Sequence, residues 1–214
     1  MKIKKNLKAF TLAEVLIALT VIGVIAAITV PALIQRTQKQ EYVSALQKAY
    51  STLSQAANMI IAENGSPKCN DGGWACSNRE VYDLFKKYLN NTKECREVKG
   101  GCVPQGSYKF LGSSYIWLDA DNYPVFVMSD GIQVMFEGAD KNCSFSRDSD
   151  NSVCAYLAVD INGAKQPNRV GRDVFRLVVK ETGLYPNGCP SENCPNAWGL
   201  DCACKVIREG AMNY

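Results

Sequence analysis

The chain has 214 residues, with 24 basic and 21 acidic side chains and no histidine. Four of the lysines lie in the first nine residues, so the remainder is close to neutral and lacks the basic footprint of a dedicated nucleic-acid binder. The absence of histidine excludes Ser-His-Asp and Cys-His catalysis and the His-Glu-x-x-His zinc motif, so we predict no enzyme activity.

The first element in the chain is a long apolar run behind a basic leader. Between Lys8 and Arg36 the single charged residue is Glu14, and residues 15–34 carry no charge at all. A helix of this length spans a hydrocarbon core of about 30 Å. A carboxylate inside such a span costs about 2.5–3.5 kcal/mol on insertion scales, so its presence indicates a function.

Two conventional interpretations of this segment explain less of it. A secretory signal peptide has an apolar region of about 7–15 residues that ends in small residues, whereas this run is longer and contains Glu14. A plain signal anchor explains why the lysines face the cytoplasm, but it does not explain the acidic residue. Both interpretations stay open as alternatives.

The residues Ala9-Phe-Thr-Leu-Ala-Glu-Val-Leu-Ile-Ala-Leu-Thr-Val-Ile-Gly23 resemble the prepilin signature of type IV pilins and type II secretion pseudopilins. In that family a prepilin peptidase removes a short basic leader just before a Phe and methylates the new amino terminus. The resemblance therefore implies a cut between Ala9 and Phe10 and N-methylation of Phe10. The family usually has Gly before the cut, and this chain has Ala9 instead.

The resemblance also implies a role for three residues of the apolar run. Glu14, Gly23 and Pro31 fall at positions where the family has the same residue types, and we predict that they act in filament assembly. The implied function is a structural subunit of a type IV pilus or type II secretion-like filament, polymerised through its N-terminal helix. The alternative is a membrane-anchored extracytoplasmic binding module or enzyme that does not polymerise.

This interpretation divides the chain into four parts and assigns it partners and a location. The parts are a leader (1–9), a transmembrane or filament-core helix (10–34), an amphipathic spine (35–64) and an extracytoplasmic globular domain (65–214). The implied partners are other pilin or pseudopilin subunits, prepilin peptidase and inner-membrane assembly machinery. The implied location is the bacterial inner membrane, crossed once, and then the filament.

Beyond residue 35 the apolar residues recur at three- and four-residue steps, which predicts a helix with one buried face. The positions in this stripe are Tyr42, Leu46, Ala49, Leu53, Ala57 and Ile60. We predict one helix over roughly residues 11–62, ended by the turn signals of residues 63–67, with two separate helices as the alternative. Gly23 and Pro31 predict a kink or local unwinding between them.

The remaining sequence predicts an α+β domain. Ser77-Asn-Arg-Glu80 is a capping box, which predicts the start of a short helix, and Ser129-Asp-Gly131 predicts a tight hairpin turn. Strand-like stretches occupy residues 108–118, 123–128, 132–136, 153–161 and 174–179. The predicted fold is a long N-terminal α-helix, half membrane-spanning and half amphipathic, packed on an antiparallel β-sheet domain with disulfide-pinned loops.

All ten cysteines lie on the side of the apolar run away from the lysines, where an oxidising compartment favours disulfides. They are Cys69, Cys76, Cys95, Cys102, Cys143, Cys154, Cys189, Cys194, Cys202 and Cys204. Cys202 and Cys204 are too close in sequence for an unstrained mutual bridge, so at least one should pair with Cys189 or Cys194. We also predict that Cys143 and Cys154 form a bridge across the loop before a strand and that residues 65–214 contain no free thiol. The remaining pairings stay open, and zinc bound by thiolates is the alternative.

Oxygen-bearing side chains gather in the connection between the last two predicted strands. Asp160, Asn162, Asn168 and Asp173 lie within this stretch. Because some pseudopilins bind calcium in a late loop, Asp160, Asn162 and Asp173 are weak calcium candidates, and no other cofactor is predicted. The alternative is that these side chains cap turns by accepting hydrogen bonds from backbone amides.

Overall fold

The structure, a computed structural model, describes residues 10–66, 77–89, 93–95, 108–112, 116–118, 123–140, 142–144, 152–163, 165–189, 194–195, 199–200 and 202–214. The leader with Ala9, three of the predicted disulfide cysteines (Cys69, Cys76 and Cys102) and the side chain of Cys95 therefore lie outside the described residues. The chain divides into two units, residues 1–39 (unit 1) and residues 40–214 (unit 2).

The first helix, α1 (Leu12–Asn64), is continuous, so the prediction of one helix is confirmed and the alternative of two helices is not. Residues between Gly23 and Pro31 are all helical, so local unwinding is not present there, and a kink stays a prediction. The helix ends at Gly65, whose φ of 76° suits glycine and whose N–H donates to the Ile61 carbonyl at 2.8 Å.

In unit 2, α1 buries one face, and the predicted stripe is confirmed with one shift. Tyr42 is only half-buried, and its neighbour Val43 takes the buried position instead. The buried residues are Val43, Leu46, Ala49, Leu53, Ala56, Ala57 and Ile60. Their three- and four-residue spacing places them on one side of the helix, against the sheet described below.

The second helix, α2 (Asn78–Tyr88), begins at the predicted capping box. The Ser77 hydroxyl accepts a hydrogen bond from the Glu80 N–H at 3.2 Å and donates to the Glu80 carboxylate at 3.0 Å. On the buried face of α2, the Tyr82 ring lies 5.7 Å from the Phe136 ring in an edge-on arrangement. Aromatic pairs of this kind add to the stability that burial provides.

In the part of unit 2 that the structure describes, the main sheet has six antiparallel strands in the order β1-β4-β5-β6-β7-β8, and β2 pairs with β3 in a separate two-stranded sheet. The strands are β1 (Lys93–Cys95), β2 (Tyr108–Lys109), β3 (Ile116–Leu118), β4 (Val125–Val127), β5 (Gln133–Ala139), β6 (Val153–Asp160), β7 (Val174–Lys180) and β8 (Gly183–Pro186). A third helix, α3 (Cys202–Glu209), follows. The α+β class with an antiparallel sheet is confirmed.

One strand prediction is wrong. Residues 108–118 are not a single strand but the two short strands β2 and β3, paired antiparallel to each other. Residues 111 and 112 form a turn after β2 because Leu111-Gly112 interrupts the run of β-branched and aromatic residues. The strands β1 and β8 and the helix α3 were not predicted, since each is too short for its periodicity to stand out.

The alternation of side chains along β5, β6 and β7 gives the sheet two different buried faces. One face joins the α1 stripe in the main core, with Phe136, Leu157 and Leu177 among its members. The other face carries a buried ion pair, in which Arg176 Nε lies 2.8 Å from Glu137 Oε2. The connection between β6 and β7, residues 161–173, starts from this second face at Asp160.

Candidate functional site

In unit 1, α1 begins with a capping box formed by Thr11 and Glu14. Sequence analysis missed this box because it lies at the start of an apolar run. The Thr11 hydroxyl accepts from the Glu14 N–H at 3.2 Å, and Glu14 Oε2 accepts from the Thr11 N–H at 2.8 Å and from its hydroxyl at 2.9 Å. These reciprocal bonds satisfy backbone donors at the start of α1. Within one copy, Glu14 therefore stabilises the helix start immediately after the predicted cut.

Every described side chain of unit 1 is exposed, although most of them are apolar. The exposed large apolar residues are Phe10, Leu12, Val15, Leu16, Ile17, Leu19, Val21, Ile22, Val24, Ile25, Ile28, Val30, Leu33 and Ile34. By length and composition this part of α1 can cross a membrane. Surface of this kind requires lipid or other apolar helices around it, because water disfavours it.

The hydroxyl groups of unit 1 turn inward onto their own helix. Thr20 donates to the Leu16 carbonyl at 2.8 Å, and Thr29 donates to the Ile25 carbonyl at 2.9 Å. Bonds of this type satisfy polar groups without water or a partner chain. The segment between Glu14 and Arg36 is therefore compatible with an apolar surrounding.

Gly23 and Pro31 have no packing partner that explains them within one copy. A Cβ added at Gly23 would meet no atom within 4 Å, so intramolecular space does not require glycine there. Pro31 lies inside α1, where it lacks the N–H that would continue the helix hydrogen bonds. Their predicted role in assembly stays a prediction.

The calcium candidates lie together, and hydrogen bonds occupy the carboxylate oxygen atoms of Asp160 and Asp173, while Asn162 Oδ1 is buried without a hydrogen-bond partner. Asp173 accepts at Oδ1 from the Arg169 N–H at 2.6 Å and at Oδ2 from the Asn168 N–H at 2.8 Å. Asp160 Oδ1 accepts from the Asn162 N–H at 3.2 Å. These are the contacts that the turn-capping alternative expects.

The side chain of Asn162 connects this turn to α1. Its Nδ2 donates to Asp173 Oδ2 at 3.1 Å and to the Tyr42 hydroxyl at 3.2 Å. Among the described residues, no group of three or more acidic, cysteine or histidine side chains is placed to hold a metal ion. The calcium site stays a prediction.

The two carboxyl groups of this turn are buried, which changes their acidity. Asp160 and Asp173 have no exposed surface, and burial raises the pKa of both, most for Asp160. The Tyr108 hydroxyl donates to Asp160 Oδ2 at 2.8 Å and opposes part of that shift. Sequence reasoning missed Tyr108, because its partner is 52 residues away in the chain.

The cysteines that the structure describes with side chains form three disulfides. They are Cys143–Cys154, Cys189–Cys204 and Cys194–Cys202. Cys202 and Cys204 each pair with one of the two upstream cysteines, as the argument from their spacing expects. Both bonds tie α3 to the segment after β8, so the disulfide-pinned loops of the predicted fold are present.

Comparison with known proteins adds one finding. Residues 4–30 match the family described as the prokaryotic N-terminal methylation motif, which is the prepilin-type signature of type IV pilins and pseudopilins. No curated protein and no solved structure matches the chain. The chain thus carries a motif of pilin-type precursors, which are structural rather than enzymatic, and this motif together with the apolar helix indicates membrane anchoring.

Proposed function

We propose that this chain is a subunit of a type IV pilus or type II secretion-like filament, processed by prepilin peptidase and polymerised through unit 1. The observation that carries the proposal is the methylation motif at residues 4–30, which overlaps the exposed apolar stretch of α1 in unit 1. Prepilin peptidase, the enzyme that recognises this motif, would cut on the cytoplasmic side, where the lysines of the leader remain. Unit 2 is then the extracytoplasmic domain.

In this proposal, neighbouring subunits replace the lipid around unit 1 when the filament forms. The exposed apolar side chains would pack against those of neighbouring copies when subunits leave the membrane. Gly23 suits such packing, because a missing side chain lets two helix backbones approach closely. Pro31 frees one carbonyl of α1 and allows the helix to bend as it packs.

Glu14 has two roles in this proposal, one before docking and one after it. Before docking, it caps the helix through Thr11. Removal of the leader creates a cationic amine at Phe10, and N-methylation keeps that charge. In the filament, the amine of one copy would pair with Glu14 of a neighbour, and the low dielectric strengthens the attraction beyond that of an exposed pair.

The experiment that tests processing is mass spectrometry of the chain extracted from membranes. We expect a mature chain that begins at N-methyl-Phe10. As a control, Ala9→Gly restores the residue that the family usually has before the cut, and it should be processed at least as fast. A chain that begins near residue 32 would support a conventional signal peptide and contradict the proposal.

A second measurement separates the filament subunit from an anchored module. The sheared extracellular fraction should contain polymers of the chain with N-methyl-Phe10 at their subunit N-termini. A chain that is processed and folded but never found in polymers would be an anchored extracytoplasmic module instead.

A further inference from the structure

One end of unit 2 carries basic side chains that the proposed function does not use. They belong to the connection between β6 and β7, in which Lys165 and Arg172 are exposed and Arg169 is half-buried. Lys109 lies beside this connection, because its N–H donates to the Asn168 carbonyl at 3.0 Å. Within the part of the chain that the structure describes, neither Lys165 nor Arg172 forms an ion pair.

The acidic side chains that the structure describes at this end do not cancel that charge. Asp160 and Asp173 have no exposed surface, so they face the interior of unit 2. Two other acidic residues are in ion pairs, at 2.8 Å and 3.9 Å: Asp130 with Lys48, and Glu209 with Arg208. Glu41 is exposed. The exposed side-chain charge of this end is therefore mostly positive.

The basic end of unit 2 is also the end at which the chain arrives from unit 1. Asn162 Nδ2 donates to the Tyr42 hydroxyl at 3.2 Å, which places the β6–β7 connection beside the first residues of α1 in unit 2. The β7–β8 turn lies at the opposite end, since a Cβ added at Gly183 would lie 3.5 Å from Asn58 Oδ1. The basic connection is thus close to residue 42 of α1 and far from residue 58.

The length of the chain limits how far this end can be from the apolar run. Ile34 is the last residue of that run, and Tyr42 follows it by eight residues. Eight residues span at most about 29 Å even when fully extended. A tether this short keeps the tethered surface at a high effective concentration near the membrane. When unit 1 crosses a bilayer, the basic end of unit 2 can therefore reach the lipid headgroups.

The connection that carries the basic residues is held in shape by its own hydrogen bonds. Asp173 accepts from the backbone amides of Arg169 and Asn168 at 2.6 Å and 2.8 Å. Arg169 Nη1 donates to the Phe110 carbonyl at 3.1 Å. Since the backbone is already ordered, binding to a surface does not have to supply the free energy of ordering it.

We propose that Lys165 and Arg172 bind the anionic phospholipid headgroups of the bilayer that unit 1 crosses. The inference rests on the membrane topology of the proposed function and adds a second contact with the membrane, made by unit 2. Headgroup phosphates accept hydrogen bonds from both side chains, and the Arg172 guanidinium can donate two at once. Because the contact is electrostatic, it strengthens with the anionic charge of the bilayer and weakens with salt.

The direct test measures the distance between this connection and the headgroups. The full-length chain carries a fluorescent amino acid in place of Gln166, an exposed residue next to Lys165. It is reconstituted into phosphatidylcholine vesicles, with or without phosphatidylglycerol, that contain a lipid with a nitroxide on its headgroup. The nitroxide quenches the fluorophore at short range, so we expect stronger quenching with phosphatidylglycerol. Equal quenching in the two kinds of vesicle would overturn the inference.

Salt supplies the second arm of this test. The Debye length falls from about 10 Å at 0.1 M to about 3 Å at 1 M ionic strength. The additional quenching that phosphatidylglycerol causes should therefore be lost at the higher salt concentration. Quenching that persists unchanged in high salt would show that the contact is not electrostatic, and the inference would be wrong.

A pair of double variants locates the contact. Lys165→Gln with Arg172→Gln should lower the ratio of docked to undocked unit 2 by about tenfold or more, because each basic residue near an anionic bilayer contributes about fivefold. The control, Lys87→Gln with Lys180→Gln, removes the same charge at the opposite end, near Glu63 and Gly183, and should dock as wild type does. Equal losses in both double variants would mean that net charge, and not this surface, holds unit 2 at the membrane.

The outcomes separate this inference from the proposed function. Resistance of the wild-type chain to alkaline extraction from the same vesicles reports the insertion of unit 1 independently of the fluorophore. If the chain inserts but phosphatidylglycerol does not change the quenching, the topology stands and the headgroup contact is wrong. If the chain is extracted, the proposed topology is wrong, and the headgroup contact falls with it.

Discussion

The two stretches of α1 contain similar apolar residues, but their burial is opposite. In unit 1, Leu16 is 56% exposed and Leu33 is 65% exposed, whereas Leu46 and Leu53 in unit 2 have no exposed surface. Burying a leucine side chain stabilises a fold by about 1.5–3 kcal/mol. Unit 2 obtains this stabilisation from its own core, whereas unit 1 does not. The comparison teaches that unit 2 stabilises itself, while unit 1 depends on lipid or on other copies.

The polar residues of the two stretches also differ in where their bonding partners lie. Thr20 and Thr29 in unit 1 bond to their own helix, while Lys48 in unit 2 reaches across to Asp130. Glu14 is the charged residue inside the apolar stretch, and within one copy it bonds to Thr11. Its substitution therefore tests the dependence of unit 1 on other copies most directly.

The largest expected effect follows from Glu14→Leu. This chain should insert, be cleaved and form its disulfides, yet be lost from filaments, because the amine of a neighbouring Phe10 finds no carboxylate. The measurement is the amount of the chain in sheared filaments relative to the amount in membranes. Glu14→Leu at wild-type levels in filaments would show that the pairing mechanism is wrong.

Because Glu14 also caps α1, this experiment needs a control that removes the cap alone. Thr11→Ala breaks the capping box but keeps the carboxylate, and loss of a cap costs about 1 kcal/mol. We expect Thr11→Ala to enter filaments. If Thr11→Ala and Glu14→Leu are lost equally, the cap rather than the charge pair explains the effect.

The next largest effect compares the same substitution in both units. Leu46→Ala should lower the free energy of unfolding of unit 2 by about 2–5 kcal/mol, because it leaves a cavity in a fully buried stripe. Leu16→Ala should leave it unchanged, since the side chain is exposed. Chemical unfolding of the full chain in detergent, followed by near-UV circular dichroism, measures both. Equal losses would contradict the division into two units.

The third prediction concerns the bridge between Cys143 and Cys154. Both residues are buried and their separation is 11 residues. Cys143→Ala with Cys154→Ala should lower the free energy of unfolding by about 2–3 kcal/mol, as expected for a loop of this length. The melting temperature under nonreducing conditions measures the loss. An unchanged melting temperature would mean that the core around Cys154 holds this loop without the bond.

The smallest expected effect is a pH dependence from the buried carboxyl groups. Burial raises the folded-state pKa of Asp160 and Asp173 above the unfolded value, so the stability they contribute is fully present below the unfolded pKa. That stability is lost as the pH rises through the folded pKa. These two groups should therefore make unit 2 more resistant to unfolding in mild acid than at neutral pH.

Asp160→Asn tests this dependence, because it replaces the carboxyl group with an amide that does not titrate. The new amide can donate to the Tyr108 hydroxyl, which in turn can donate to Gln133 Oε1, 3.3 Å away. At pH 7–8 the variant should be more stable than wild type, because the neutral amide avoids the burial of a charged carboxylate that raises the pKa of Asp160. The difference should vanish as the pH falls toward 4. Melting curves recorded with a chelator present measure it, and a difference that grows in acid would contradict the assignment.

The sequence alone predicted the features that depend on local pattern. The capping box at Ser77 and the hairpin turn at Gly131 are confirmed, because each depends on residues close in the chain. Thr11 and Glu14 have the same capping-box spacing, but we did not predict a cap there because the surrounding residues are apolar. The strand prediction for residues 108–118 failed because Gly112 breaks a stretch whose composition still favours strand.

By itself, then, the sequence determined one helix through both units, the buried stripe from Leu46 onward and the prepilin-type N-terminus, since helical periodicity and short motifs depend on residues that are close in the chain. Only the tertiary structure decided which cysteine meets Cys204, which hydroxyl reaches Asp160 and where a groove forms beside Met59. These contacts join residues far apart in the chain, and the packing of the sheet against α1 brings them together. The local sequence pattern does not predict that packing.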